Sequence, residues 1–282
     1  MGIKMRMCKN KTTDLLRDTF HATPVTPPES IIQPLFVLSR LDGKITRRGE
    51  LKFLFPKKNH KGLKLKFSHN RVADTALQRT QKVGMDMGVH IMGALLQGFK
   101  IDTAPVSAAL QGCKEISFSF TNIERVSVDI NELGAALSGK FCDLKNASTN
   151  VFTVVDGAAE MLLVTDVLSS NMLAINTEST NGHDFKIKLD ALQSAIASAD
   201  LKVKVEKHQE NSIVFQGEEA LTFAFSCIRV TMDPQTGALS LGEAVEVRAA
   251  RGERGLEKRS PPKKEYVLLD EDAMAPGFLS WD

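Results

Sequence analysis

Apolar and polar residues alternate with a period of two through much of this chain, the pattern of strands with one face in a core and the other in water. Leu63, Leu65 and Phe67 interleave with Lys64 and Lys66, Ile116, Phe118 and Phe120 with Ser117 and Ser119, and Leu201, Val203 and Val205 with Lys202, Lys204 and Glu206. Leu51, Phe53 and Phe55 repeat the pattern, and Ile31 to Leu38 reads as a buried strand. Leu221, Phe223 and Phe225 open another strand, which the turn Asp233-Pro234-Gln235-Thr236-Gly237 folds back onto Ala238 to Val247. Helical signals are fewer. Thr12 or Thr13 caps a short segment with Leu15, Leu16 and Phe20 on one face, which Pro24, Pro27 and Pro28 end. Asp129 and Glu132 resemble a capping box before Leu133 and Leu137, with Gly139 as the stop, and Leu189, Leu192 and Ile196 mark a further amphipathic helix. The expected fold class is α+β: a twisted, mainly antiparallel central sheet with peripheral helices.

At 282 residues and 43% hydrophobic composition the chain can bury a substantial core. It has no apolar run of the roughly 18 residues a spanning helix needs and no secretory pattern at its start, so a cytoplasmic protein is expected. Cys8, Cys113, Cys142 and Cys227 form no CxxC pair, and the six histidines lack metal-ligand spacing, so neither a metal nor a cofactor is expected. Gly134 to Lys140 imitates a phosphate-binding loop, but Phe141 stands where a hydroxyl must reach the magnesium ion. The segment also lies at the end of a predicted helix, whereas such a loop opens one. With no nucleophile elbow either, the chain is not expected to be an enzyme.

Charge is segregated. Lys44 to Lys82 carries twelve Lys/Arg against Glu50 and Asp74, an excess of +10, whereas Tyr266 to Asp282 carries four acids and no Lys or Arg, a charge of −4. The basic stretch is either a solvated face or the footprint of an anionic partner. Sequence-tolerant nucleic-acid binders interleave cations with aromatic platforms, and this chain is only 6% aromatic, so no nucleic-acid partner is expected. Phe53, Phe55 and Phe67 read as core residues. Acidic membrane lipid is the better match, with Lys57, Lys58, Lys61, Lys64 and Lys66 as its contacts.

Three further segments bear on membranes. In Val83 to Ile91, Val83, Met85, Met87, Val89 and Ile91 share one side of a strand and Gly84, Asp86, Gly88 and His90 the other, which suits either a core strand or a tilted membrane strand. Cys8 lies among Lys4, Arg6, Lys9 and Lys11; it stands either unmodified or S-acylated, with the basic cluster as a second membrane signal. Arg248 to Lys264 holds seven Lys/Arg with Gly252, Gly255, Pro261 and Pro262, and reads as an exposed linker. The apolar tail beyond it contains the chain's only Tyr and only Trp, and is expected to dock on the body.

Four stretches in order resemble the bacterial gasdermin family: the Cys-containing N-terminal segment with its helix, IIQPLFVL at Ile31 to Leu38, ISFSFTNIERVSVDINELGAAL at Ile116 to Leu137, and MLLVTDVLSSNMLAIN at Met161 to Asn176. LTFAFSCIRV at Leu221 to Val230 resembles a late strand of the same domain. The resemblance covers nearly the whole chain and rests on order and spacing. It implies a gasdermin N-terminal-domain-like fold over 1–247, a protease-sensitive linker at 248–265 and an autoinhibitory peptide at 266–282. It also implies two regions that refold into transmembrane β-hairpins, about Phe67 to Ile101 and Val151 to Val205, so that Leu163 and Val167 join the Val83 to Ile91 set as membrane-inserting residues. Acylation, as palmitoylation, is carried over to Cys8 alone. Tyr266, Leu268, Leu269, Phe278, Leu279 and Trp281 become the autoinhibitory contacts.

The implied activity is pore formation. A resting cytoplasmic monomer is cut by a caspase-like or trypsin-like protease, at Arg251, Arg254, Lys258 or Arg259, or at Leu256 for an enzyme reading apolar residues. The body then enters the inner cell membrane and oligomerises into large β-barrel pores, causing cell death in antiphage defence. The competing reading is an acyl-anchored peripheral lipid-binding module with a structural tail.

Overall fold

The computed structural model describes residues 22–41, 44–60, 63–72, 83–84, 96, 98–101, 104, 108, 113–153, 159–179, 203–209, 212–245 and 279–280. In chain order the strands are β1 (Thr23–Glu29), β2 (Phe36–Leu41), β3 (Lys44–Glu50), β4 (Phe67–Arg71), β5 (Val83–Gly84), β6 (Cys113–Thr121), β7 (Glu124–Val128), β8 (Glu160–Ser179), β9 (Val203–Gln209), β10 (Ser212–Met232), β11 (Leu239–Val245) and β12 (Leu279–Ser280). Two 3-10 turns lie at Leu51–Leu54 and Lys57–Asn59, and helices α1 (Ile130–Leu137) and α2 (Ala147–Asn150) follow β7. Among the described residues the strands form one sheet along the path β12-β1-β10-β8-β2-β3, with the remaining strands branching from it. Among the described residues only β12 pairs in parallel, with β1, so the α+β, mainly antiparallel class expected from the alternation is the class observed.

β8 and β10, 20 and 21 residues long, are the spine. β1, β9 and β11 pair with β10, and β2, β6 and β7 with β8. The lower part of β8 is a continuous apolar run because both its faces are covered. Met161 and Leu163 join Leu51, Leu54, Phe55, Leu133, Leu137, Ile228 and Val230 in one buried cluster. Leu162 and Val164 join Val25, Ile32, Phe36, Leu38 and Phe225 in another. A third unites Ile123, Leu168, Phe223 and Ala224, with Phe120 stacked on Phe223 at 4.0 Å between ring centroids.

Ion pairs cross the same strands. Glu160 of β8 meets Arg40 of β2 and, at 3.1 Å, Arg229 of β10. Arg125 of β7 donates through Nε and Nη2 to Asp166 Oδ2 of β8, at 2.7 and 2.5 Å. Burial raises the Asp166 carboxyl above the usual carboxylate range, and the Arg125 guanidinium draws it part of the way back.

Local chemistry accounts for the elements read correctly. The Asp129 carboxylate accepts the N–H groups of Asn131 and Glu132 at 2.8 and 2.9 Å and caps α1. Gly134 lies inside α1 and Lys140 beyond its end, so the phosphate-loop imitation sits at a helix terminus of the wrong sense. Asp233 accepts from Gln235 and Thr236, each at 2.8 Å, and closes the β10–β11 hairpin where the turn was expected.

Other expectations are corrected. Leu51 to Phe55 is not a strand: the last β2–β3 pair is Phe36 with Glu50, so the chain leaves the ladder and turns in a 3-10 helix. That turn buries Leu51, Leu54 and Phe55 but leaves Phe53 52% exposed. Phe67, also expected in the core, is 41% exposed at the start of β4. Residues 63–66 alternate as read, with Leu63 and Leu65 partly buried and Lys64 and Lys66 exposed, but pairing begins only at Phe67, opposite Val128. The strand expected from Ile31 starts at Phe36, since Ser30 to Leu35 is taken up by turns on either side of Ile32 and Gln33. The proline cluster read as a helix terminator instead belongs to β1, which lies between β10 and the short β12. The expected helices near Thr12 and Leu189 lie outside the described residues.

Candidate functional site

β1 runs Thr-Pro-Val-Thr-Pro-Pro-Glu, so only Val25 and Thr26 lie between its prolines. On one side β1 pairs with β10, Thr23 opposite Phe225 and Pro24 opposite Ala224. On the other side it receives the chain's C-terminal segment: Val25 pairs with Leu279 and Thr26 with Ser280. Prolines on either side of this two-residue window limit how far any strand can extend along the edge. Among the described residues the ladder is two pairs long.

The far end of β1 is fixed to the body. Arg47 of β3 donates to Glu29 at 2.5 Å, although β1 and β3 stand far apart along the sheet path, so the sheet curls to bring them together. Burial raises the Glu29 carboxyl and Arg47 opposes that shift. Thr222 Oγ1 of β10 donates to the Ile32 carbonyl at 2.8 Å, which pins the turn after β1 against the spine.

A second feature is the basic face beside the 3-10 turns. Lys57, Lys58, Lys64 and Lys66 are exposed, and Lys61 lies outside the described residues. Phe53 stands among them, held in place rather than loose: the Lys52 ammonium lies 4.9 Å from its ring centroid and the His60 ring meets it edge-on at 5.6 Å. Asn146 Nδ2 donates to the Phe53 carbonyl at 2.8 Å. Phe141, 49% exposed, precedes Asp143, whose N–H donates to the Leu54 carbonyl at 2.7 Å. Cations around fixed, outward aromatic rings suit an anionic surface with an apolar layer beneath it. The charge count identified the lysines; the aromatic part was missed, because Phe53 was assigned to a strand face.

The remaining candidates fall as follows. Val83 is in β5 and pairs with Ile116; Met85, Met87, Val89 and Ile91 lie outside the described residues. Leu163 and Val167 are 0% and 3% exposed in the centre of β8, so carrying them into a bilayer requires the middle of the sheet to come apart. Of the tail contacts only Leu279 is described; Tyr266, Leu268, Leu269, Phe278 and Trp281 are not. Cys8 and the cleavage candidates Arg251, Arg254, Leu256, Lys258 and Arg259 also fall outside the described residues. Cys142 and Cys227 are buried thiols outside any disulfide, each pushed up to about 12 by burial, and so are poor nucleophiles. Among the described residues no three His, Cys, Asp or Glu side chains converge as metal ligands, and no helix is long and apolar enough to cross a membrane.

The sequence profile described as the Bacterial Gasdermin Family matches residues 25–238. A gasdermin, bGSDM, from a Desulfuromonadales bacterium is 23% identical over 226 residues, covering 80% of this chain and 83% of that protein. A second bGSDM, from an unknown prokaryotic organism, is 25% identical over 207 residues, covering 72% and 74%. The solved structure of a bacterial gasdermin from Bradyrhizobium tropiciagri superposes with a TM-score of 0.62 at 13% identity, over 84% of this chain and 92% of that one.

Proposed function

This chain belongs to the bacterial gasdermin family, and we propose that it is an autoinhibited pore former whose C-terminal peptide, 266–282, is removed by proteolysis. The observation that carries this reading is the pairing of Leu279 and Ser280 with the β1 edge. An occupied edge cannot add a neighbour's strand, and an exposed one is a template for doing so. A two-residue ladder holds only while it is tethered. A cut in 248–265 by a trypsin-like or caspase-like protease lowers the tail's effective concentration from roughly millimolar to its bulk value, and the edge opens.

The freed body then meets acidic membrane lipid through Lys57, Lys58, Lys61, Lys64 and Lys66, with Phe53 as an interfacial anchor. Each cation near an anionic surface contributes about 1 kcal/mol of attraction. Amphipathic strands from the 67–101 and 151–205 regions cross the bilayer, and neighbouring subunits close a barrel. Cys8, palmitoylated, supplies a second membrane attachment. The protein catalyses nothing and needs no cofactor; it rests in the cytoplasm, acts at the inner cell membrane, and its pores kill the cell in antiphage defence.

The test is dye release from anionic vesicles. Protein truncated after Arg259 should empty them and form rings in electron micrographs, while the intact chain does neither. Truncated and intact protein that bind the vesicles equally without leakage would refute pore formation and favour a peripheral lipid-binding module.

A further inference from the structure

The pairing on both sides of β8 is interrupted at the same level. β8 pairs with β10 from Asn176 opposite Ser212 to Met172 opposite Gln216, and resumes with Ser170 opposite Leu221. The four β10 residues from Gly217 to Ala220 thus stand against Asn171 alone, and Glu218, Glu219 and Ala220 are exposed. On the other side of β8, β6 ends with Thr121 opposite Met172 and β7 begins with Glu124 opposite Ser169. Asn122 between them has φ 51, in the left-handed region that Asn accepts more readily than most residues.

Side chains replace the missing ladder. Asn122 Nδ2 donates to Asn171 Oδ1 at 3.3 Å, and Asn171 Nδ2 donates to the Gly217 carbonyl at 3.2 Å. Ser170 Oγ donates to the Thr121 carbonyl and accepts the Met172 N–H at 2.9 Å. The Thr121 hydroxyl is buried with no partner among the described residues. Phe99, buried, is seated directly on the gap: a Cβ added at Gly217 would lie 3.0 Å from its ring. The preceding residue, Gly98, approaches β1 so closely that a Cβ there would lie 2.4 Å from the Pro28 carbonyl oxygen.

We propose that the row Asn122–Asn171–Gly217 is a transverse joint in the sheet, and that Phe99 is the wedge that holds it shut. Continuous ladders resist bending, whereas a four-against-one bulge provides slack and bends its strand. The distal strands, 113–121, 172–179, 203–209 and 212–216, swing as a unit on this row while the proximal sheet keeps its core. β1 links the joint to the tail, since it touches Gly98 through Pro28 and pairs with Leu279 through Val25. The use of this swing in membrane insertion rests on the pore-forming reading; the joint itself does not.

Amide hydrogen exchange on the intact, uncut chain tests the joint. Phe99→Ala and Asn171→Ala should each speed exchange in 172–179 and 212–216 by about tenfold or more, with 161–169 and 221–230 unchanged. Equal acceleration on both sides of the row, or none on either, would overturn the proposal. Should Phe99→Ala fail to fold, the pair Asn122→Cys with Asn171→Cys decides. Oxidised, it should slow distal exchange, and reduction should reverse this; no slowing refutes the joint. With vesicles, the oxidised pair in tail-truncated protein should release no dye until reduced, and leakage in the oxidised state would show that the joint is not used. If truncated protein without the cysteines releases none, the pore reading fails, and the exchange results still judge the joint.

Discussion

Below Asn171 β8 is buried on both faces, and above it β10 has one face partly wet. Met161 to Ser170 are all buried; Met161 and Leu163 pack with α1 and the 3-10 turn, Leu162, Val164 and Val167 with Val25, Ile32 and Phe36, and Leu168 with Ile123 and Phe223. Above, Ile213 and Phe215 are buried while Val214 and Gln216 are partly exposed, and Val205 is buried between exposed Lys204 and Glu206. A strand buried on both faces has one stable environment. A strand with one apolar face needs only some apolar layer to cover it, a protein core or lipid, and its alternation is what a membrane strand requires. The proposed joint thus assigns different work to the two halves of β8 and β10, the lower half keeping the fold and the upper half changing partners.

The largest effect that can break this division comes from its two fully buried phenylalanines. Phe225→Ala, in the proximal core, should cost about 3–5 kcal/mol of global stability in a denaturant titration. Phe215→Ala, equally buried but distal, should instead leave the main transition nearly in place and raise exchange in 212–216. Identical global losses would merge the halves into one cooperative unit.

A smaller effect probes the proximal half through its ion pair. Asp166→Ala leaves the Arg125 guanidinium without its carboxylate and should cost about 1–3 kcal/mol. The wild-type carboxyl titrates higher in the folded state than unfolded, so the folded state holds more protons in that window. Stability from this group therefore falls as pH rises from the usual carboxylate value through the raised one. Asp166→Asn should remove that component from denaturation curves collected across the window; an unchanged slope would show that Asp166 is not its source.

The smallest change in stability should come from the basic face. Lys57→Glu with Lys58→Glu should shift the unfolding free energy by no more than about 0.5 kcal/mol, because both side chains are exposed. The same variant should bind anionic vesicles at least about tenfold more weakly, at about 1 kcal/mol for each cation lost. Undiminished binding in a sedimentation assay would remove this face from the membrane account.

Much of this organisation is legible in the residues where one physical requirement dominates. Asp129 and Asp233 are read correctly because a carboxylate that accepts two backbone N–H groups is a local device needing no partner elsewhere. The alternation of 203–206 survives because one face is wet, with Val205 buried between exposed Lys204 and Glu206. Leu51 to Phe55 misleads because the same apolar spacing serves a 3-10 turn once the β2 partner runs out at Phe36. β1 was hidden because prolines signal a helix end as readily as a protected edge. The joint was invisible too, since nothing in Asn122, Asn171 or Gly217 taken singly reveals that they meet. The tail's apolar ending predicts that it docks; only the register shows that Leu279 and Ser280 pair as a strand with β1.

The claim that this edge contact holds the protein inactive is tested most directly by Leu279→Pro in the uncut chain, because proline lacks the N–H with which a residue extends a ladder. Dye release from anionic vesicles without any protease, approaching that of protein truncated after Arg259, is the predicted result. A silent Leu279→Pro chain, measured beside an active truncated one, would contradict it.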